Sequence, residues 1–301
     1  MKVAILVDAQ SVDAGKTIKE LLTFQTIPAL IVKITEAWRN EPHRIIEALF
    51  KDITHCIFVI TDAVLECSTW LPFFIGYAGG KGKHIALYRN CSHCHMPPWL
   101  QGLIVFDTEG ELSLFFEAEK EDWYVQEKRT RARMTLLEKG ISWHTDSFIR
   151  SIEENDTDAV ELFIESGFHP DARDKHGVPV LSIAVRKKHA DIVRTLLAHG
   201  ASIDIQSEDR GYSPLMDAVQ VKDRTIVQIL LANGANPNLT SKDGQTALII
   251  AVGADSFDCV ELLVQYHADP DITDKLGMSA RSYAKLFKKQ EYLDLFASCS
   301  G

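Results

Sequence analysis

Residues Asp174–Asp204 read DKHGVPVLSIAVRKKHADIVRTLLAHGASID, and this stretch recurs through the second half of the chain. Further copies begin at Glu208, Ser241 and Asp274. The turn glycines of the four copies lie 34, 33 and 33 residues apart, at Gly177, Gly211, Gly244 and Gly277. A period near 33 predicts stacked pairs of helices, each too small to bury its apolar face alone.

Each copy carries the signals of two short helices. The glycine supplies a tight turn that needs a positive φ. The apolar spacing of Leu181 and Ala184 predicts a first helix, and Ile192, Val193 and Leu196 give a second helix one apolar face. A degenerate copy precedes these four, from Thr145, which makes about five units.

This pattern resembles the ankyrin repeat. The second full copy matches the family motif at Gly211–Leu215, Ala218, Ile226–Val227, Leu230–Leu231 and Gly234–Ala235. The resemblance covers about residues 143–299, and its first and last units are the most degenerate, as capping units are. It implies a helical solenoid that binds a protein partner. The turn tips expected to contact that partner, called the tip residues below, are Arg173, Lys175, His176, Arg210, Tyr212, Lys242 and Gln245.

The first half predicts an α/β unit. Five short apolar runs with helical patterns between them read as strands, at Val3–Val7, Ala29–Ile34, His55–Ile60, Ile85–Tyr88 and Leu103–Phe106. Continuous apolar runs of this kind are typical of a parallel sheet covered on both faces. The expected fold class is therefore α/β followed by all-α: a flavodoxin-like sheet domain at 1–112, a helical connector at 113–142 from a charged, helix-prone segment, and the repeats at 143–299.

One segment of the first half is more specific. Residues 68–78 read STWLPFFIGYA, which resembles a segment of Toll/interleukin-1 receptor (TIR) domains and one of nucleoside 2-deoxyribosyltransferases. In both families the resemblance implies a glutamate that acts in N-glycosidic bond cleavage, at the place where this chain has Phe74. Phenylalanine offers neither charge nor proton to an oxocarbenium-like transition state. The expected result is an inactive relative, and the alternative is an enzyme that uses Glu66 or Asp62 instead.

A nucleotide pocket is predicted where the strands end. Its expected residues are Asp8, Ser11, Lys16, Asp62, Ser68, Trp70, Phe74 and Gly76. The run Ala14–Thr17 resembles the end of a phosphate-binding P-loop, but Gln10 stands where the first glycine would be. An ordinary helix start capped by Asp13 is therefore the favoured interpretation.

The cysteines and charges argue against a metal-binding, a nucleic-acid-binding and a membrane-spanning protein. Six scattered cysteines predict reduced thiols. The run Cys91–His95 matches C-x-x-C-H, but no second pair completes a zinc site, so neither a metal nor a cofactor is predicted. A net charge of −10 argues against nucleic acid, and no apolar run is long enough for a membrane span.

The sequence as a whole predicts a cytoplasmic interaction protein. Its repeats bind a protein partner, and its α/β domain serves self-association as a homo-oligomer or nucleotide sensing. The competing hypothesis is an enzyme that cleaves NAD or a nucleoside and is regulated by the repeats.

Overall fold

The computed structural model describes residues 1–34, 47, 50–61, 70–91 and 96–297. The chain divides into two compact units, Met1–Glu127 and Lys128–Gly301. Each unit has its own hydrophobic core, so each is described by itself.

The first unit contains a five-stranded parallel sheet in the order β2-β1-β3-β4-β5. The strands are β1 Val3–Val7, β2 Ala29–Lys33, β3 His55–Ile60, β4 His84–Arg89 and β5 Ile104–Phe106. All four pairings are parallel, and the register places Val3 opposite both Ala29 and His55. The predicted parallel sheet is confirmed, with strand ends that differ from the prediction by one residue at most.

The apolar runs are continuous because both faces of the sheet are buried. Along β1, Ala4 and Leu6 belong to one core cluster, and Val3, Ile5 and Val7 belong to another. Successive side chains of a strand point to opposite faces, so the two clusters lie on opposite sides of the sheet. A one-sided sheet would instead show alternating polar positions.

Helices accompany the sheet. Those whose bounds the structure describes are α1 Val12–Phe24, α2 Trp70–Gly80 and α3 Glu109–Glu138, with a 3-10 turn at Pro98–Leu100. Gly15 lets α1 approach β1, because a Cβ there would lie 2.6 Å from Cγ1 of Val7. The N-cap of α1 is Ser11 rather than the expected Asp13, which lies in the first turn. No helix among the described residues combines the length and the apolar character that a membrane crossing needs.

The second unit contains the end of α3, from Lys128, followed by five helix pairs over the described residues. The pairs are α4 Thr145–Glu153 with α5 Thr157–Glu165, α6 Val180–Arg186 with α7 Ala190–Ala198, α8 Pro214–Gln220 with α9 Arg224–Ala232, α10 Ala247–Gly253 with α11 Phe257–Gln265, and α12 Ala280–Leu286 with α13 Gln290–Ala297. Their buried faces form one continuous core cluster. The predicted helical repeat is therefore confirmed.

Local signals start the first helices. Ser213, Thr246 and Ser279 occupy the N-caps of α8, α10 and α12, and each side chain accepts a hydrogen bond from a backbone N–H of the first turn. These bonds satisfy N–H groups that have no partner within the helix. The equivalent position before α6 is Pro179, which has no such side chain.

The turns between repeats are joined to one another by backbone hydrogen bonds. The N–H of Glu208 donates to the carbonyl of Gly177 at 3.1 Å, and the N–H of Lys242 donates to the carbonyl of Arg210 at 3.1 Å. The N–H of Lys275 continues the series to the carbonyl of Asp243 at 3.0 Å. Each turn therefore fixes the position of the next.

Candidate functional site

The second unit carries an open groove of about 390 Å³, called the groove below. It lies against the first helices of the last three repeats and the turn that precedes α8. Its lining residues are Tyr212, Gln220, Gln245, Ile249, Ile250, Gly253, Ala254, Tyr283 and Phe287.

The middle of the groove is apolar. Ile249 and Ile250 of α10 are 3% and 6% exposed and form its floor. Gly253 ends the same helix, and a Cβ added there would meet no atom within 4 Å. The small residues at the end of α10 therefore leave space that a larger side chain would fill.

One end of the groove is aromatic. The rings of Tyr283 and Phe287 stack with centroids 5.9 Å apart and an interplanar angle of 25°. The Tyr283 hydroxyl donates to Oδ2 of Asp274 at 2.8 Å, and this bond raises the pKa of the phenol. Phe287 is 47% exposed and lines the groove, so about half of its ring is open to solvent there. An apolar or aromatic side chain of a ligand could bury this ring.

The other end is polar. The hydroxyl of Tyr212 donates to Oε1 of Gln245 at 3.2 Å, which directs the amide nitrogen of Gln245 away from that contact. The guanidinium of Arg210 lies over the Tyr212 ring, 4.4 Å from its centroid. Gln220 is exposed beside them. Amide groups placed in this way can bind the backbone of a polypeptide.

A cluster of charged side chains adjoins this polar end. It consists of Arg186, Asp209, Arg210 and Asp217 and is called the ion-pair cluster below. Nε of Arg186 lies 2.9 Å from Oδ1 of Asp217, and Nη1 of Arg186 lies 3.3 Å from Oδ2 of Asp209. Nη2 of Arg210 lies 3.5 Å from Oδ1 of Asp217. Burial raises the pKa of the Asp217 carboxyl despite these cations.

The structure brings together three of the predicted tip residues, Arg210, Tyr212 and Gln245. Arg173 instead donates from Nη1 to the carbonyls of Gly177 and Gln206, and Lys242 donates to the carbonyl of Glu208. These two cations therefore connect neighbouring turns. Lys175 and His176 are exposed at their turn.

The exposed face of the short first helices was expected to take part in binding, but the predicted tip residues include none of the helical residues that line the groove. The position six residues after each turn glycine changes its chemistry from repeat to repeat: Ile183, Asp217, Ile250 and Tyr283. A position that served only the shared core would keep one chemistry. Variation within the repeat was the available signal for Tyr283.

In the first unit, two predicted pocket residues meet where β1 ends. Oδ1 of Asp8 accepts hydrogen bonds from Oγ and N–H of Ser11, at 2.5 and 2.7 Å. The hydroxyl of Thr61, which follows β3, donates to Oδ2 of Asp8 at 3.3 Å. The carboxyl ends of β1 and β3 are thereby joined by side chains.

The other predicted pocket residues lie elsewhere or are not described. Lys16 pairs with Asp13 at 2.7 Å. Phe74 is 2% exposed and packs in the core between α2 and the sheet, while Gly76 is exposed on α2. Asp62, Glu66, Ser68 and the side chain of Trp70 lie outside the described residues.

The first unit also holds one group of side chains that could bind a metal ion, among the residues that the structure describes. It comprises His55, His84 and Glu119, whose ligand atoms all lie within 4.8 Å of one another. A small cavity of about 140 Å³ adjoins the group. Burial lowers the pKa of His55.

The cysteine prediction is corrected at one position. Cys56 and Cys259 are free and buried, as expected for reduced thiols. Cys91, in contrast, takes part in a disulfide. The rest of the C-x-x-C-H run, residues 92–95, lies outside the described residues.

Comparison with known proteins gives consistent results. A family model described as ankyrin repeats (3 copies) matches residues 148–241 and 215–300. A protein of Treponema pallidum (strain Nichols), described as ankyrin repeat-containing, is 35% identical over 288 residues, which is 95% of this chain and 96% of the relative. An ankyrin repeat protein of fowlpox virus (strain NVSL) is 34% identical over 70 residues, 23% of this chain and 9% of the viral protein.

Proposed function

The chain belongs to the ankyrin repeat family, and from that membership we propose that the groove binds a segment of a protein partner. The observation that carries the proposal is the stacked aromatic pair of half-buried Tyr283 and exposed Phe287 beside the buried floor of Ile249 and Ile250. Fully desolvated aromatic rings that rest on a packed floor are the usual centres of binding energy at protein interfaces.

The chemistry of the groove defines what the segment must offer. Its middle needs an apolar or aromatic side chain that fits the space over Gly253. Its polar end needs backbone N–H and C=O groups for the amides of Gln220 and Gln245. The tip residues Arg210 and Tyr212 extend this contact beyond the helices.

A blocking experiment tests the proposal. Gly253→Arg places a long cation in open space in the groove, so it should obstruct a partner without disturbing the fold. Gln220→Arg does the same at the polar end. Gln228→Arg makes the same substitution at an exposed position of α9 that does not line the groove, and it serves as the matched control.

The measurement is affinity capture with the full chain, quantified by mass spectrometry, followed by titration of the captured protein. We expect the wild type and Gln228→Arg to bind the captured partner with equal affinity. Gly253→Arg and Gln220→Arg should each bind it more than tenfold more weakly, a loss of more than about 1.4 kcal/mol. Equal retention by all four proteins would refute groove binding.

For the first unit we propose a flavodoxin-like, TIR-like module that has lost N-glycosidic cleavage and serves nucleotide sensing or self-association. The order β2-β1-β3-β4-β5 supports this, because flavodoxin-like sheets share it and bind ligands where the order reverses, between the ends of β1 and β3. Asp8, Ser11 and Thr61 meet at that place.

The enzyme alternative requires a carboxylate there in place of Phe74, which packs in the core, and the residues expected to supply it are Glu66 or Asp62, which lie outside the described residues. Incubation of the full chain with NAD and with nucleosides, with chromatographic detection of the free base, separates the two. Base release by the wild type would establish the enzyme. Calorimetric binding without release, or concentration-dependent mass by light scattering, would support sensing or self-association.

A cytoplasmic location belongs to the same proposal. It predicts that cell fractionation recovers the protein with cytoplasmic markers. Recovery in an exported fraction would contradict it.

A further inference from the structure

Two histidines are placed side by side at the amino ends of neighbouring strands. His55 begins β3 and His84 begins β4, and the parallel register pairs them directly. Their ring centroids lie 4.6 Å apart. This end of the sheet is opposite to the carboxyl ends where Asp8 and Thr61 meet, so the pair belongs neither to the predicted nucleotide pocket nor to the groove.

A carboxylate from α3 completes the group. Oε1 of Glu119 lies 3.2 Å from Nε2 of His55 and 2.7 Å from Nδ1 of His84. One oxygen therefore faces a nitrogen of each imidazole.

The hydrogen bonds at Nδ1 of His55 leave its Nε2 free to act as a metal ligand. Oγ1 of Thr54 accepts from the N–H of Lys2 and lies 2.9 Å from the Lys2 carbonyl and 2.8 Å from Nδ1 of His55. When the hydroxyl donates to the carbonyl, its remaining lone pair accepts from Nδ1–H. The lone pair of a neutral ring is then on Nε2, and it faces the lone pairs of Glu119. A cation between these atoms converts that repulsion into coordination, and a second-shell contact to the far nitrogen is the usual companion of a metal-bound histidine.

We propose that His55 Nε2, His84 Nδ1 and the Glu119 carboxylate bind a divalent transition-metal ion, with zinc as the best match. Two imidazoles and one carboxylate suit zinc rather than magnesium or calcium, which prefer oxygen ligands. Ligand atoms about 2.0–2.1 Å from a tetrahedral zinc are about 3.3 Å apart, close to the contact of Glu119 with His55. The 2.7 Å contact with His84 must open by about 0.6 Å to reach this spacing, and both side chains are partly exposed.

The surroundings leave room for a fourth ligand. The adjoining cavity of about 140 Å³ is lined on its apolar side by Ile104, Phe115 and Phe116. A water molecule or a donor from a small ligand can occupy the remaining position. Because the three ligands come from β3, β4 and α3, a bound ion also links the amino ends of these two strands to that helix.

Cobalt titration of the metal-stripped full chain tests the proposal, because Co²⁺ reports nitrogen and oxygen coordination through its visible absorption. We expect one equivalent to bind and zinc to displace it. His84→Ala removes a ligand that is 60% exposed, and Glu119→Gln keeps the size of the third ligand. Each should weaken binding by more than about 100-fold, beyond the usual cost of losing an outer-shell partner, whereas Thr54→Val should weaken it by about tenfold or more.

Two control variants separate this site from others. His199→Ala removes an exposed histidine of the second unit and should leave binding unchanged. Cys91→Ser removes a cysteine of the C-x-x-C-H run and should also leave cobalt binding unchanged. The cobalt spectrum of the wild type should show no thiolate charge-transfer band. Absent binding, binding that survives in both His84→Ala and Glu119→Gln, or binding lost in Cys91→Ser would overturn the proposal.

Discussion

The guanidinium of Arg186 and the carboxylate of Asp217 meet across two neighbouring repeats, with Nε 2.9 Å from Oδ1. The Asp217 side chain is 1% exposed, at the position that isoleucine occupies in the repeats on either side. Oδ2 of Asp217 and Nη2 of Arg186 are buried without a hydrogen-bond partner among the described residues. The pair is therefore held tightly by one bond and incompletely satisfied.

Removing the charge of Asp217 should destabilise these repeats. Asp217→Asn leaves Arg186 partly buried with Asp209 as its remaining anion, and we expect a loss of about 2 kcal/mol, below the usual cost of breaking a fully buried pair. Hydrogen exchange of the amides in α6–α9 measures it locally. Asp191→Asn breaks the exposed pair with Arg194. It should change the free energy of opening, obtained from hydrogen exchange, by less than about 1 kcal/mol. Equal effects of the two variants would contradict this account.

The free energy of unfolding at acid pH should depend on Asp209. Partial burial raises the pKa of this carboxyl, but hydrogen bonds from Ser207 and the Arg210 N–H, with the charge of Arg186, lower it to about 2. Because the folded pKa lies below the unfolded one, the stabilisation is present above about pH 4 and is lost as the pH falls towards 2. Asp209→Asn should make the urea midpoint of unfolding depend less steeply on pH over this window. An unchanged slope would show that other carboxyls dominate it.

Turn glycines should differ in their tolerance of alanine. Gly211 and Gly277 have φ values of +68° and +75°, so alanine is strained at both. A Cβ at Gly211 would also lie 2.8 Å from the backbone nitrogen of Lys242, whereas one at Gly277 meets nothing within 4 Å. We expect Gly277→Ala to cost about 1 kcal/mol and Gly211→Ala about 1–3 kcal/mol more. Thermal unfolding compares them, and equal melting temperatures would refute the close approach of successive turns.

A glutamate at position 74 should unfold the first unit rather than restore catalysis. Phe74 is 2% exposed in the sheet core, so Phe74→Glu should cost more than about 3 kcal/mol. Its neighbour Phe73 is 40% exposed, and Phe73→Glu should cost about 1 kcal/mol or less. Circular dichroism and urea unfolding measure both. A stable Phe74→Glu protein that cleaves NAD would contradict the packing described here.

Much of the fold could be predicted from local pattern. The strands β1 and β3 match their predicted bounds because each is a short apolar run bounded by polar residues. The repeats could be recognised from the glycine period, which is also a local signal. A turn that requires a positive φ restricts the residue type at that position. The cap of α1 was misplaced by two residues, since Ser11 and Asp13 are both good caps and only the loop geometry chooses between them.

The sequence alone determined that the chain has a parallel sheet followed by helix pairs, because periodicity and turn chemistry act over a few neighbouring residues. Only the tertiary structure decided which side chains come together. Register brought His55 beside His84, and stacking placed Asp217 against Arg186 and Tyr283 in the groove. Such contacts join residues about 30 or more positions apart, and their distances depend on how whole elements pack, which no local pattern records.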